Sequence, residues 1–208
     1  MLPLSLDLAR LNLVLIGKDA PCRRRLALLE EAGAGALAIF SAAPSPELAQ
    51  EAGGRLRRHW PSADELRGAQ LVFIADVPEP ERSVLVAAAR AAGAILHVED
   101  APTLSDSHAP AVLRRGALVI AVSTDGAAPG LAVAIKQFLA AIIGPEWSAR
   151  IEHMHALRRR WRLAGADHAA LRRLTAARIG RYGWLNHRPL AANDRGAKMS
   201  ERERGGVS

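Results

Sequence analysis

The chain has 208 residues with a formal net charge of +7, and half of its residues are hydrophobic. That length can hold one hydrophobic core of ordinary size with a small appendage. The sequence contains no run of about 18 uncharged apolar residues, so no membrane span is predicted. The single cysteine, Cys22, excludes an internal disulfide and a cysteine-rich metal site, and the amino terminus lacks the basic segment of a signal peptide, so we expect a cytoplasmic protein.

Short apolar runs bounded by turn residues predict the strands of a parallel sheet that is covered on both faces. These runs are Leu11–Ile16, Gly35–Phe40, Leu71–Ala75, Ala94–Val98 and Leu118–Val122. Helical patterns lie between them at Arg23–Ala32 and at Glu81–Ala92, which ends at Gly93. A weaker helix is predicted at Pro46–Ala52 and an edge strand at Arg55–Trp60. The alternation of strands and helices predicts an α/β fold with a Rossmann-like, doubly wound parallel sheet.

The sequence after Pro129 is helical in pattern. A helix is predicted over Leu131–Ile143, and a second helix carries one apolar stripe. The stripe consists of Trp147, Ile151, Met154, Leu157 and Trp161. Asp167 is a candidate N-cap for a third helix, which runs from His168 to about Ile179. From Asn186 onward the chain is polar, which predicts disorder.

The stretch from His97 to Ala132 reads HVEDAP, then PAVLRRG and then ALVIAVSTDGAAPGLA. It resembles the siroheme-synthase family, whose bifunctional members act as precorrin-2 dehydrogenase and sirohydrochlorin ferrochelatase. The family pattern is close to Asn-Val-Val-Asp-x-Pro, Pro-(Ser/Ala)-Ile-(Ile/Val)-x-Arg and Val-Ser-(Ser/Thr)-Gly-Gly-x-(Ser/Ala)-Pro-x-Leu-Ala. It lies on this chain without a gap from Asp100 to Ala132.

The resemblance implies a domain organisation and a set of partners. It predicts a Rossmann-like NAD-binding domain over residues 1–112, a dimerisation region over 113–145 and a helical substrate-side domain over 146–185, with the polar tail over 186–208. The implied cofactor is NAD, the implied substrates are precorrin-2, sirohydrochlorin and Fe²⁺, and the implied assembly is a homodimer.

The candidate cofactor-binding residues depart from the family pattern. The family turn Gly-Gly-Gly-x-Val-Ala-x-Arg-Lys corresponds in position to Gly17–Arg25 of this chain. The cofactor-binding candidates there are Gly17, Lys18, Asp19, Ala20 and Pro21, and of the three glycines only the first is retained. Two further candidates, Ser41 and Ala42, replace the acid that often binds the ribose, and Asp76 stands in an altered fourth-strand motif. Because a dinucleotide turn needs glycines for close approach to the pyrophosphate, we expect weakened NAD⁺ binding.

Asp100 is the candidate catalytic residue. By its position alone it is a strand-end aspartate that caps a turn, whereas the resemblance implies the family's catalytic carboxylate. The carboxyl end of a strand faces the crevice where such folds bind ligands. A carboxylate there can take a proton during oxidation of the macrocycle, or accept pyrrole N–H protons as a metal enters. Alternation along the strand predicts that Glu99 points to the opposite face.

The candidate substrate-binding residues follow from the same resemblance. They are His97, His108, Ser123, Thr124 and Gly126. Their alternative roles are structural for the histidines and helix capping for the Ser/Thr turn. A cluster of His97, Asp100 and His108 could also assist the delivery of Fe²⁺, but no resident metal site is predicted.

Nine arginines lie between Arg150 and Arg181, against only Glu152 and Asp167. They form either a solvated helix face or a surface for the carboxylates of a tetrapyrrole. Nucleic acid is the least favoured ligand, because no nucleic-acid-binding motif is present. The function that the resemblance implies is precorrin-2 dehydrogenase with Fe²⁺ insertion. The alternative is a non-catalytic or chelatase-only tetrapyrrole-binding homologue that has lost NAD binding.

Overall fold

The computed structural model describes residues 2–185 and contains a five-stranded parallel sheet. Its strands are β1 (Asn12–Gly17), β2 (Ala36–Phe40), β3 (Leu56–Arg57), β4 (Leu71–Ala75) and β5 (Ile95–Val98). The spatial order is β3-β2-β1-β4-β5, so the chain reverses direction across the sheet between β1 and β4. This order and the parallel pairing confirm the doubly wound Rossmann-like fold.

Helices cover both faces of this sheet. They are α1 (Asp19–Glu31), α2 (Pro46–Ala52) and α3 (Glu81–Ala91). Alternate residues of each strand enter different cores: Leu15 packs with α1 and α2, whereas Ile16 packs with α3. Because both faces are covered, every residue of β4 is buried, which explains its uninterrupted apolar sequence.

Within the region of the parallel sheet, two boundaries differ from the prediction by more than two residues. Helix α1 begins at Asp19, four residues before the predicted Arg23, because Pro21 falls in the first turn, where a missing N–H costs nothing. The edge strand is also shorter than Arg55–Trp60. Only the two residues of β3 pair with β2, in a register that joins Phe40 to Arg57.

The run Leu118–Val122 is a strand, but its predicted place in the parallel sheet is wrong. As β7 (Leu118–Val122), it pairs with β6 (Ala111–Arg115) in a separate two-stranded sheet. The two strands are joined by a tight turn at Gly116, whose φ is +57°. A two-residue connection joins neighbouring strands directly, so Leu118–Val122 pairs with the strand just before it and not with β5.

The remaining elements are helical, as predicted: α4 (Pro129–Ile142), α5 (Trp147–Leu163) and α6 (His168–Tyr182). All five residues of the predicted apolar stripe of α5 are half-buried. The Asp167 carboxylate accepts a hydrogen bond from Ala170 N at 2.7 Å, which confirms the N-cap of α6. Helix α6 continues past Ile179 and ends at Gly183 in a left-handed conformation.

The chain divides into two compact units. Among the described residues, the first unit comprises residues 2–113 together with Ile120–Ile142, and the second comprises Arg114–Val119 and residues 143–185. The disorder predicted from Asn186 lies outside the described residues. None of the helices within residues 2–185 is both long enough and apolar enough to cross a membrane.

Candidate active site

Two adjoining cavities open at the carboxyl edge of the parallel sheet, within the first unit. The larger has a volume of about 420 Å³ and the smaller about 180 Å³. Both are lined by Val98, Glu99 and Asp100, the residues at the end of β5. The turn that holds the predicted catalytic residue is therefore a wall common to both cavities.

Asp100 stands in a left-handed conformation, with φ +57°, and its side chain is exposed. Aspartate and asparagine tolerate this conformation better than other residues with a side chain. The left-handed residue ends the regular strand. Glu99 and Asp100 both line the same two cavities, and the direction that strand alternation predicts for Glu99 stays a prediction.

Glu99 and His97 share a buried cation on α1. Arg25 Nη2 lies 3.4 Å from Glu99 Oε1 and 3.1 Å from His97 Nε2. The Arg25 guanidinium also lies over the Phe73 ring, 5.4 Å from its centroid. Glu99 Oε2 is buried and has no hydrogen-bond partner within the described chain.

The surroundings of His97 favour its neutral form. Burial lowers its pKa, and the charge of Arg25 acts in the same direction. Its Nδ1 lies 2.9 Å from Ser107 O, so Nδ1–H donates there and Nε2 accepts from Arg25. Both ring nitrogens are thus engaged, and residues 2–185 hold no group of three or more side chains suited to a metal ion. The proposed cluster of His97, Asp100 and His108 for Fe²⁺ delivery is not formed.

The other predicted substrate-side residues meet at the larger cavity. His108, Ser123, Thr124 and Gly126 all line it. The two hydroxyls also organise the turn before α4: Ser123 Oγ accepts from Asp125 N at 3.2 Å, and Thr124 Oγ1 accepts from Ala128 N at 3.1 Å. The capping role is therefore formed, at the edge of the cavity.

The predicted cofactor turn joins β1 to α1. A Cβ at Gly17 would lie 2.0 Å from Ala75 O, so the close approach of β1 to β4 requires glycine there. Asp19, which replaces a glycine of the family pattern, has φ +52°. Lys18 is extended and half-buried, and Ala20 is exposed. The backbone thus keeps the form of a glycine-rich turn despite its side chains.

The remaining cofactor-binding candidates lie along the same edge. Pro21 and Asp76 line the smaller cavity, with Asp76 at φ +56°. Ser41 is fully buried at the end of β2 and its Oγ has no partner among the described residues, whereas Ala42 is exposed. Neither Ser41 nor Ala42 lines either cavity.

These positions suit a dinucleotide. The amino terminus of α1 opens at the point where the strand order reverses, which is where Rossmann-like folds bind nucleotides. A helix amino terminus favours a pyrophosphate through its free N–H groups and its dipole. Asp19 opposes this with a negative charge, so the residues fit NAD⁺ with one unfavourable side chain.

Arg25 and Glu99 are site residues that the sequence prediction missed. Arg25 falls on the buried stripe of α1, with Cys22, Leu26 and Leu29. A charged residue on an apolar stripe is a signal that could have identified it. Glu99 offered no comparable signal, because its partner Arg25 lies 74 residues away in the chain.

The arginine-rich helices lie in the second unit. Arg159, Arg160, Arg172 and Arg173 are exposed. Arg158 instead donates a hydrogen bond to Thr175 Oγ1 at 3.1 Å and links α5 to α6. Arg162 and Arg181 are exposed as well, so six arginines of α5 and α6 are exposed.

A family model described as "Putative NAD(P)-binding" matches residues 4–111, which is slightly more than half of the chain. The chain belongs to this family. The match covers the parallel sheet, the turn before α1 and both carboxylates that follow β5. It supports NAD as the cofactor despite the altered turn.

Named relatives confirm the resemblance to siroheme synthases. The chain is 35% identical over 133 residues to the siroheme synthase of Methylococcus capsulatus, covering 63% of this chain and 28% of that protein. It is 36% identical over 137 residues to the siroheme synthase of Ectopseudomonas mendocina, covering 65% and 29%. The chain therefore matches less than a third of the length of these two relatives.

A solved structure named "SirC, precorrin-2 dehydrogenase" has the same fold. It superposes with a TM-score of 0.70 and covers 86% of this chain and 89% of its own, at 21% sequence identity. The similarity extends beyond the family model, because 86% of the chain must include residues after 111.

Proposed function

We propose that the chain oxidises precorrin-2 to sirohydrochlorin with NAD⁺ in siroheme biosynthesis, with Asp100 as the proton acceptor. The observation that carries this proposal is the position of Asp100 in the wall common to two cavities. The smaller cavity adjoins the amino terminus of α1, where the cofactor would bind. The larger is bounded by the Ser/Thr turn before α4, where the tetrapyrrole would bind.

The chain's own residues have distinct parts in this reaction. Bound NAD⁺ would supply the hydride acceptor. Gly17 and the amino terminus of α1 would hold its pyrophosphate, while Pro21 and Asp76 would border the nicotinamide end. Asp100, which is exposed to both cavities, would take the proton that leaves the macrocycle. Thr124 would contribute to the wall that orients the substrate.

We further propose that the chain inserts Fe²⁺ into sirohydrochlorin, with Fe²⁺ as a substrate. Two carboxylates, Glu99 and Asp100, line the larger cavity, and removal of pyrrole protons needs bases close to the macrocycle. As a separate proposal, the exposed arginines of α5 and α6 form a surface that binds carboxylates of a tetrapyrrole, because guanidinium groups pair well with carboxylates.

We also propose a cytoplasmic homodimer that associates through α4. The support is a set of apolar side chains of α4 that are exposed in the single chain: Leu131, Val133, Ile135 and Phe138. An exposed apolar patch of this kind marks an interaction site. NAD⁺-dependent chemistry and a single buried cysteine both suit the reducing cytoplasm.

Asp100→Asn tests the catalytic assignment. Asparagine tolerates the left-handed conformation but cannot take a proton, so we expect the rate of NADH formation from precorrin-2 to fall by about 10²-fold or more. The matched control is Asp125→Asn, since Asp125 also has a positive φ, +55°, but lines neither cavity. It should retain the wild-type rate.

Separate titrations distinguish the alternative function. Wild-type protein that binds sirohydrochlorin but neither binds NAD⁺ nor forms NADH would be a non-catalytic or chelatase-only homologue. An Asp100→Asn variant as active as wild type would return Asp100 to a turn-capping role.

A further inference from the structure

Glu99 is a carboxylate that the dehydrogenase mechanism leaves unused. Its backbone N–H donates to Ile74 O at 2.9 Å, so the residue continues the pairing of β5 with β4. Its side chain therefore stays on the α1 face, beside Arg25. Oε2 is buried without a partner within residues 2–185, although the residue lines both cavities. A buried acceptor without a donor is costly, and a ligand N–H would supply the missing donor.

Arg25 holds one oxygen of this carboxylate, and the other, Oε2, has no donor among residues 2–185. The guanidinium lies 3.4 Å from Oε1, and its side chain is only 10% exposed. The hydrogen bond to His97 and the contact with Phe73 fix the guanidinium in turn. Glu99 is thus oriented by a buried cation, as a functional carboxylate needs to be.

The position is also a departure from the motif that the chain resembles. That motif has valine where Glu99 stands, directly before the aspartate that matches Asp100. This chain therefore has two carboxylates in the walls of the same cavity where the motif has one.

We propose that Glu99 is the second proton acceptor of metal insertion, an inference that rests on the proposed function. Two pyrrole N–H bonds break, one proton passes to Glu99 and the other to Asp100, and the divalent ion forms bonds to the two deprotonated nitrogens. No atom changes oxidation state. Dehydrogenation instead transfers one hydride to NAD⁺ and releases one proton, for which Asp100 suffices.

The test compares the two reactions in the full-length Glu99→Gln protein. Glutamine keeps the shape of the side chain but cannot accept a proton. We expect the initial rate of Co²⁺ insertion into sirohydrochlorin to fall about tenfold or more, while NADH formation from precorrin-2 stays within about threefold of wild type. Glu99→Val, which carries the residue of the motif, removes both oxygens and should give the same division of effects.

Glu30→Gln is the matched control. Glu30 also pairs with an arginine, Arg55, at 2.6 Å, but lies outside both cavities. It should leave both rates unchanged. Circular dichroism melts of all variants report folding, and the double variant Arg25→Leu with Glu99→Val, which leaves no unpaired buried charge, supplies the test if Glu99→Gln is unstable.

The outcomes separate the inference from the function beneath it. If wild-type protein inserts Co²⁺ no faster than Glu99→Gln and Glu99→Val, the role of Glu99 is overturned but the proposed function is not. Wild-type protein that forms NADH but inserts no metal overturns both this role and the chelatase activity. Equal losses of both activities, or a loss of NAD⁺ affinity alone, would assign Glu99 to binding and also overturn the inference.

Discussion

Replacement of the buried Arg25 by leucine should destabilise the first unit by about 3 kcal/mol. Removing one member of a buried ion pair costs roughly 3–5 kcal/mol, but the Glu99 side chain is 22% exposed, so water recovers part of that cost. The lost hydrogen bond to His97 and the lost contact with the Phe73 ring add to it. Leucine suits the apolar stripe of α1 and offsets a fraction of the loss.

A double-mutant cycle isolates the ion pair. Arg25→Leu with Glu99→Val replaces both charges by apolar groups, a change that is often neutral for buried pairs. We expect the double variant to cost about 2 kcal/mol less than the sum of the two single variants. The measurement is urea unfolding followed by circular dichroism. The midpoint urea concentrations of the variants are compared, provided that the m value, the slope of the free energy of unfolding against urea, is unchanged.

Arg23→Leu is the control for this cycle. Arg23 is also on α1 and also pairs with a glutamate, Glu51, at 2.9 Å from Nε, but its side chain is 38% exposed. An exposed pair contributes about 1 kcal/mol or less. The reasoning is refuted if Arg25→Leu costs no more than Arg23→Leu, or if the two single costs at Arg25 and Glu99 simply add.

Burial lowers the pKa of His97, so folding favours the neutral ring and the free energy of unfolding should fall as pH drops below about 6.5. In urea unfolding, His97→Asn should lose less stability than wild type over this pH range, and a pH profile identical to that of wild type would contradict the role of His97. Asp19→Asn keeps the left-handed turn but removes a negative charge beside the pyrophosphate, so calorimetry should show NAD⁺ binding tightened by about two- to fivefold; equal affinity would exclude the electrostatic account. Leu131→Glu with Phe138→Glu should convert the proposed dimer to a monomer in light scattering, whereas a monomeric wild type would remove the proposal. Burial raises the pKa of the Cys22 thiol to about 12, so a thiol reagent should label the protein only after unfolding, and rapid labelling of the native protein would show that the thiol is accessible.

Local sequence patterns were sufficient for most of the fold. Runs such as Leu71–Ala75 are apolar throughout because both faces of the strand are covered, and this requirement is visible without knowing what covers them. The N-cap at Asp167 and the stop at Gly93 act within a few residues, so they too are visible. The same holds for Asp100, since a strand-end carboxylate lies at the binding edge of any parallel sheet.

The tertiary structure decided the features that depend on residues far apart in the chain, such as strand pairing and side-chain partners, and the backbone conformation of the turn at Asp100. Leu118–Val122 has the composition of a core strand, and only its short connection to β6 assigns it to a separate hairpin. Arg25 reaches His97 across 72 residues, a pairing that no local pattern specifies. The left-handed conformation of Asp100 is a property of one φ angle, and both Glu99 and Asp100 line the same cavity. The sequence by itself thus determined where the sheet is and which of its edges carries the candidate site, because periodicity and strand ends are local. The partners and directions of the side chains at that edge required the fold, because they arise from contacts between residues far apart in the chain.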